Sequence, residues 1–329
     1  MDRIRKWLPL LCIIVLIFTG CEVNGTPVYF TSGCGRNTVF IMGKESCDIE
    51  EANIYLYNYK NLYGEAGGES IWNDSYDTAH MTEIIKESVL ESLTMSYALS
   101  IYAEENEIEL SEDEQEKIKG AAEEYFDSLT DEEKKFFGVK EKDIEKMYSR
   151  YALSYKVYLD LMNSVDEEVS EDEARVMDAY VFYVTGEERA NEAMNALETT
   201  PFENVAMSFN EGIGSISVSF PRNTYPPEVE DAFFRLDNDE EAVMLPDSEG
   251  HYYFAKCISK YNAELSEENK SNVIGSRQQA MLNGIINNQK EEYFSDFNEE
   301  LWTGLSIDSS VNVKTDSFFR TLNEYIPLK

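Results

Sequence analysis

The sequence predicts an α+β chain in which a mostly helical lobe is interrupted by a small sheet-bearing module. Three observations predict it. Apolar residues recur every three or four positions over long stretches on both sides of the middle of the chain, which is helical periodicity. Several of those stretches are introduced by S/T-x-x-E signals, the spacing at which a hydroxyl and a carboxylate cap a helix start reciprocally. Between residues 169 and 262 the pattern changes to a β-branched and aromatic run (Ala179–Val184), short helical segments, and a second such run (Tyr252–Ile258), the mark of strands.

In chain order, Thr38–Met42 reads as a short strand ending at Gly43. Asp48 with Glu51 has capping-box spacing, and Ile49, Ala52, Leu56, Tyr59 and Tyr63 share one helical face. The next helix, about Thr78 to Asn106, sets Ile85, Val89, Leu93, Tyr97 and Ile101 four apart. Ser111 with Glu114 and Thr130 with Glu133 open two more, the second stopping at Gly138, and Glu141–Ser164 aligns Ile144, Met147, Tyr151, Tyr155 and Tyr158. Ser170 with Glu173 leads into the strand Ala179–Val184, followed by helices at Gly186–Leu197 and Phe202–Met207, loop and strand at Gly212–Phe220, a helix at Pro226–Leu236 and the closing strand. From Ser266 to about Leu301 one helix is predicted, apolar on two faces and therefore covered on both. It is expected to pack back onto the first helices, with residues 304–329 left as a tail.

The start of the chain reads as an address. Arg3, Arg5 and Lys6 precede the apolar run Trp7–Phe18, and Thr19-Gly20-Cys21 follows, the layout of an export signal over residues 1–20. The run is shorter than the ~20 residues a membrane-crossing helix needs. Phe18-Thr19-Gly20-Cys21 resembles a bacterial lipobox, which implies a lipid on Cys21, a flexible tether over 21–36 and a place on the extracytoplasmic face of the cell membrane. The net charge of −36 argues against nucleic acid, whose phosphates need clustered Lys and Arg. It leaves the lipid, not the protein surface, to hold an anionic membrane.

Cys34, Cys47 and Cys257 remain in the mature part; a Cys34–Cys47 disulfide and free thiols are both open. There is no C-x-x-C, no phosphate loop and no dinucleotide fingerprint, so no cofactor or metal is expected. His80 reads as a surface histidine, and Asp237–Glu241 as a solvated acidic turn. The tyrosines at 55, 57, 59 and 63, and at 148, 151, 155 and 158, suit either a groove for extended chains or a half-buried core.

The order of signal, helical block, small α+β module and long C-terminal helix resembles the PrsA/SurA group of parvulin-containing chaperones. The local motifs that carry the resemblance are Ser170–Arg175, Phe202-Glu-Asn-Val-Ala206, Gly212-Ile213-Gly214, Arg222-Asn223, Glu228–Leu236 and Gly250–Lys256. It implies an N-terminal helical chaperone lobe over 37–168, a parvulin-like module over 169–262, and a helix over 263–303 that completes the SurA-like lobe. It also implies unfolded or newly exported polypeptides as partners and peptidyl-prolyl isomerase activity. Parvulins carry one histidine on the first strand and one on the last. Tyr180 and Tyr253 are read at those positions, with His251 two residues early, which implies weak or lost isomerase activity. The proline pocket maps to Tyr225, Val229 and Phe234. The alternatives are a fully active isomerase with altered site residues, and an envelope or solute-binding lipoprotein without chaperone function.

Overall fold

The structure, a computed structural model, describes residues 22–23, 26–27, 33–67, 75–307 and 312–327. Cys21 and the segment before it lie outside the described residues. No described helix is long and apolar enough to cross a membrane. The fold is α+β, and the described chain divides into two compact units. Residues to Asn163 join those from Met281 onward, and Ser164–Ala280 forms the other unit.

In the first unit β1 (Glu22–Val23) pairs antiparallel with β2 (Thr26–Pro27). There β3 (Thr38–Met42) pairs antiparallel with β4 (Glu45–Asp48) and, on its other edge, with β9 (Phe294–Phe297). Around this ribbon lie α1 (Ile49–Gly67), α2 (Ser75–Glu105), α3 (Glu112–Ser128), α4 (Asp131–Phe137) and α5 (Glu141–Ser164). The capping boxes at Ser111/Glu114 and Thr130/Glu133 are both formed. Gly138 ends α4 at φ 69°, a left-handed position that glycine takes without a Cβ penalty. The Asp48–Glu51 spacing has another use. Glu51 is buried, its carboxylate accepting from Arg150 Nη1 at 2.6 and 2.9 Å and from the Tyr97 hydroxyl at 2.8 Å. The Arg150 guanidinium lies 3.7 Å from the Tyr97 ring centre.

The long C-terminal helix is α10 (Ala263–Tyr293). In the first unit its Leu282 is buried with Leu99, Ala103, Val157 and Leu161. It stops eight residues before the predicted end, because Phe294–Phe297 leaves the helix to pair with β3. Phe294 stacks on Phe40 at 5.5 Å. The predicted tail over 304–329 is corrected more sharply. After α11 (Glu299–Gly304), α12 (Phe318–Tyr325) drives Phe318 into the centre of the unit. The rings of Tyr148, Tyr125 and Tyr55 lie 4.6, 5.2 and 5.4 Å from it. The Phe318 N–H donates to Asn58 Oδ1 at 3.0 Å, and its carbonyl accepts from the Tyr148 hydroxyl at 2.6 Å. Glu133 then accepts the N–H groups of Lys314 and Thr315. Tyr55, Tyr57 and Tyr148 are therefore core, and the groove reading of the tyrosine stripes falls for them. Cys34, Cys47 and Cys257 are free thiols.

The second unit begins with α6 (Glu171–Ala174), behind the capping box of Ser170 and Glu173. Its sheet has the order β6-β5-β8-β7, all antiparallel: Ser217–Phe220, Met177–Thr185, His251–Ser259 and Glu241–Pro246. Side chains alternate across it. Phe182, Val184 and Phe254 meet α7 (Glu187–Leu197) and α8 (Phe202–Phe209) on one side. Ala179, Val181, Ala255 and Cys257 meet α9 (Pro227–Phe233) on the other.

Candidate functional site

Strand register decides which of the predicted site residues come together. In an antiparallel pair, residues directly opposite point to the same face. Tyr253 stands opposite Tyr183, and His251 opposite Thr185. The face holding Tyr253 and His251 therefore holds Tyr183 and Val181. Tyr180 stands opposite Lys256 and packs on the other face, with Phe182, Phe254 and the α7–α8 layer. Tyr180 and Tyr253 do not share a cleft. The first-strand tyrosine in place to act with Tyr253 is Tyr183, three residues along, which the sequence reading missed.

The resulting cluster is aromatic and half-buried. Ring centres lie 5.6 Å apart for Tyr183 and Tyr253, 5.1 Å for Tyr183 and His251, and 6.1 Å for Tyr225 and Tyr253. Tyr225 rests edge-on against Phe220 at 4.9 Å and Phe233 at 5.3 Å. It is held by its backbone: the buried carboxylate of Glu230 accepts the N–H groups of Thr224 at 2.9 Å and Tyr225 at 3.3 Å. Burial, and then the neighbouring Tyr253, push the Tyr225 hydroxyl up to about 12, so it is a neutral donor and acceptor at physiological pH.

The other two members of the predicted pocket are not open to a ligand. Val229 is fully buried beneath the sheet, and Phe234 is 6 % exposed. The guanidiniums of Arg222 and Arg175 lie 4.5 and 4.8 Å from the Phe234 ring centre, so cations occupy its outer face. Both residues are floor. Burial is a tertiary property, and the helical pattern of Glu228–Leu236 alone does not separate wall from floor.

His251 and Tyr253 share one charged neighbour. Asp247 Oδ2 lies 2.8 Å from His251 Nδ1, and the charge of the same carboxylate acts on the Tyr253 hydroxyl. Asp247 Oδ1 accepts the N–H groups of Glu249 at 2.8 Å and His251 at 2.9 Å, closing the turn between β7 and β8. Burial raises the Asp247 pKa, but the bonds from His251 and Glu249 outweigh it and bring it down to about 2. Burial and then the Asp247 charge push Tyr253 upward. Asp247, Glu249 and His251 offer ligand atoms all within 4.8 Å of one another. A cation there would compete with the bonds that Asp247 already makes to its own turn.

Chemically, the face offers two phenol rings and an imidazole on the sheet and a third phenol, Tyr225, from the bend before α9, above an apolar floor. It has no nucleophile with an adjacent base. His80 is exposed and belongs to the first unit.

No family model and no curated protein matches the chain. Among solved structures it is similar to the peptidylprolyl isomerase PrsA from Bacillus cereus, at 18% identity and TM-score 0.41, covering 87% of this chain and 99% of that one. It is similar to the foldase protein PrsA from Lactococcus lactis, at 14% identity and TM-score 0.32, covering 87% and 98%. A structure of SurA-like chaperones from Campylobacter jejuni, PEB4 and Cj1289, is matched at 9% identity and TM-score 0.27, covering 80% and 100%.

Proposed function

We propose that the chain is a lipid-anchored, extracytoplasmic chaperone that binds unfolded exported polypeptides, with weak or no prolyl isomerase activity. The observation that carries this reading is the half-buried face of Tyr183, Tyr225, Tyr253 and His251 on the second unit's sheet. Phenol rings supply apolar area at little entropic cost, and their hydroxyls reach peptide groups. Such a face suits an extended chain of varied sequence. The basic, apolar start of the sequence and the lipobox-like Phe18–Cys21 support an address where such chains emerge.

The weak-isomerase part follows from the hydrogen bonds. Rotation about an X-Pro amide crosses a barrier of ~18–20 kcal/mol, and a catalyst must stabilise the twisted amide more than the planar one. A polar group of the face is already committed: His251 Nδ1 bonds to Asp247 at 2.8 Å, while burial and the Asp247 charge hold the Tyr253 hydroxyl's pKa up. A group held by a carboxylate gives little to a twisted amide that exists only fleetingly.

Two measurements on the mature chain test this. Suppression of aggregation of a reduced, unfolded client is expected from the wild type and is expected to fall with Tyr183→Ala and Tyr253→Ala, while Tyr180→Phe stays at wild-type level. A protease-coupled assay on a prolyl peptide is expected to show a rate near the uncatalysed one. Robust turnover abolished by Tyr253→Phe would overturn the weak-isomerase reading. A defined small-molecule ligand together with no suppression would overturn the chaperone reading in favour of a solute-binding lipoprotein.

A further inference from the structure

The loop Asn210–Gly214 follows α8 and is tied closely to the aromatic face. The Glu211 N–H donates to the Tyr183 carbonyl at 3.1 Å, and the Glu211 carboxylate accepts the Thr185 N–H at 2.9 Å. The Asn210 side-chain oxygen accepts the Gly212 N–H at 3.0 Å. Gly212 lies directly on the Tyr183 ring: a Cβ added there would stand 3.1 Å from the ring's Cε1, tighter than ordinary contact. Gly214 has φ +118° with nothing within 4 Å of an added Cβ, a conformation that side chains other than glycine's rarely adopt.

Between these two glycines stands Ile213, 108% exposed, the most exposed large apolar side chain among the described residues. A single exposed isoleucine is ordinary on a protein surface. This one is set apart by the clamp behind it. Three hydrogen bonds and a ring contact fix the preceding residues against the tyrosine that leads the face. The branched apolar side chain is thus carried at the rim of that face, with no protein neighbour to cover it.

The charge around the rim is acidic on balance. Glu211 lies in the loop itself, and Glu249, 78% exposed at its side chain, lies beside His251. Arg189, 4.0 Å from Glu211, is the nearby cation. An occupant with acidic flanks meets repulsion here, and one with neutral or basic flanks does not.

We propose that Ile213 is a specificity-determining residue of this face, packing on a large apolar side chain of an extended client whose flanks are neutral or basic. The proposal rests on the reading of the face as polypeptide-binding. Its ligand class is an unstructured peptide with a bulky aliphatic residue next to the residue that sits on the tyrosines.

The test uses the full mature chain and four fluorescein-labelled unstructured peptides, identical except for Leu or Ala at one central position and Lys or Glu at the flanks. Binding is read by fluorescence anisotropy. The wild type is expected to prefer Leu over Ala by about tenfold, the worth of covering a few methylene groups, and Lys over Glu flanks by a margin that shrinks in high salt. Ile213→Ser is expected to reduce the Leu preference to less than about twofold. Ile213→Leu is expected to keep it. The side chain is fully exposed, so an unchanged melting temperature is expected for both variants. If Ile213→Ser retains the full Leu preference, the inference fails while the face remains a peptide site. If no peptide binds the wild type, both fall together.

Discussion

Phe318 carries the heaviest structural consequence, and its removal can be worked through. Phe318→Ala deletes a ring that is 0% exposed and packed among Tyr55, Tyr125 and Tyr148. Truncating a buried phenylalanine costs about 3–5 kcal/mol in transfer and cavity terms. Contacts between rings are worth roughly 0.5–1.5 kcal/mol each beyond area, so the upper part of that range applies. The backbone bonds of Phe318 to Asn58 and Tyr148 do not need its ring, which keeps the loss from growing further. A loss of about 4 kcal/mol, with a urea slope of ~2–3 kcal/mol/M for a unit of this size, lowers the unfolding midpoint by roughly 1.3–2 M. The assay is urea unfolding followed by tyrosine and tryptophan fluorescence. The transition of the unit built from the two chain ends is expected to move, and that of Ser164–Ala280 to stay. A midpoint shift corresponding to less than about 1 kcal/mol, or an equal shift of both transitions, would refute the placement of Phe318 at the centre of one unit.

Two further outcomes are expected. Glu51→Gln leaves the buried Arg150 guanidinium without its closest carboxylate and is expected to cost about 3–5 kcal/mol, whereas Glu51→Leu combined with Arg150→Met recovers most of that loss, because removing one ion of a buried pair costs more than replacing both; thermal unfolding of the single and double variants decides it. For Asp247, the folded carboxyl is held near 2 and the unfolded one near the ordinary ~3.9, so its stabilisation of the β7–β8 turn is present above about pH 4 and is lost as pH falls toward 2. Tyrosine fluorescence and amide shifts at His251 are expected to titrate in that window in the wild type and not in Asp247→Asn; a midpoint at or above 4 would contradict the bonding seen at this turn.

Much of the helical lobe is legible in the sequence because its signals are local. A capping box needs residues three apart, and both Ser111/Glu114 and Thr130/Glu133 form as their spacing implies. The elements that stayed hidden are those made by partners far along the chain. Phe294–Phe297 continues the apolar periodicity of α10, and only the free edge of β3, more than 250 residues earlier, turns it into a strand. Glu241–Pro246 has no alternation to mark it, and its pairing with β8 is irregular between Ala242 and Leu245. Phe318–Tyr325 is too short to declare itself, and its depth depends on Asn58, Tyr125 and Tyr148. Glu51 satisfied a local rule on paper and took a distant arginine instead.

The site shows the same boundary between local and distant information at the scale of one residue. Both strands are recognisable from composition, and Tyr253 lies in β8. What no local pattern carries is the register between β5 and β8, and a slip of one residue exchanges the two faces of a strand. Tyr180 and Tyr183 differ in parity, so only one of them can share a face with Tyr253, and the pairing of Tyr183 with Tyr253 selects Tyr183. Gly212 could have given an independent hint. A glycine whose added Cβ would press on a neighbouring ring marks a close approach, and the ring it approaches belongs to Tyr183. The same contact that locates the site's first-strand tyrosine also fixes the loop bearing Ile213 beside it. The face and its lip are thus one construction, and a substitution that moves the Tyr183 ring is expected to alter both what binds there and what the rim accepts.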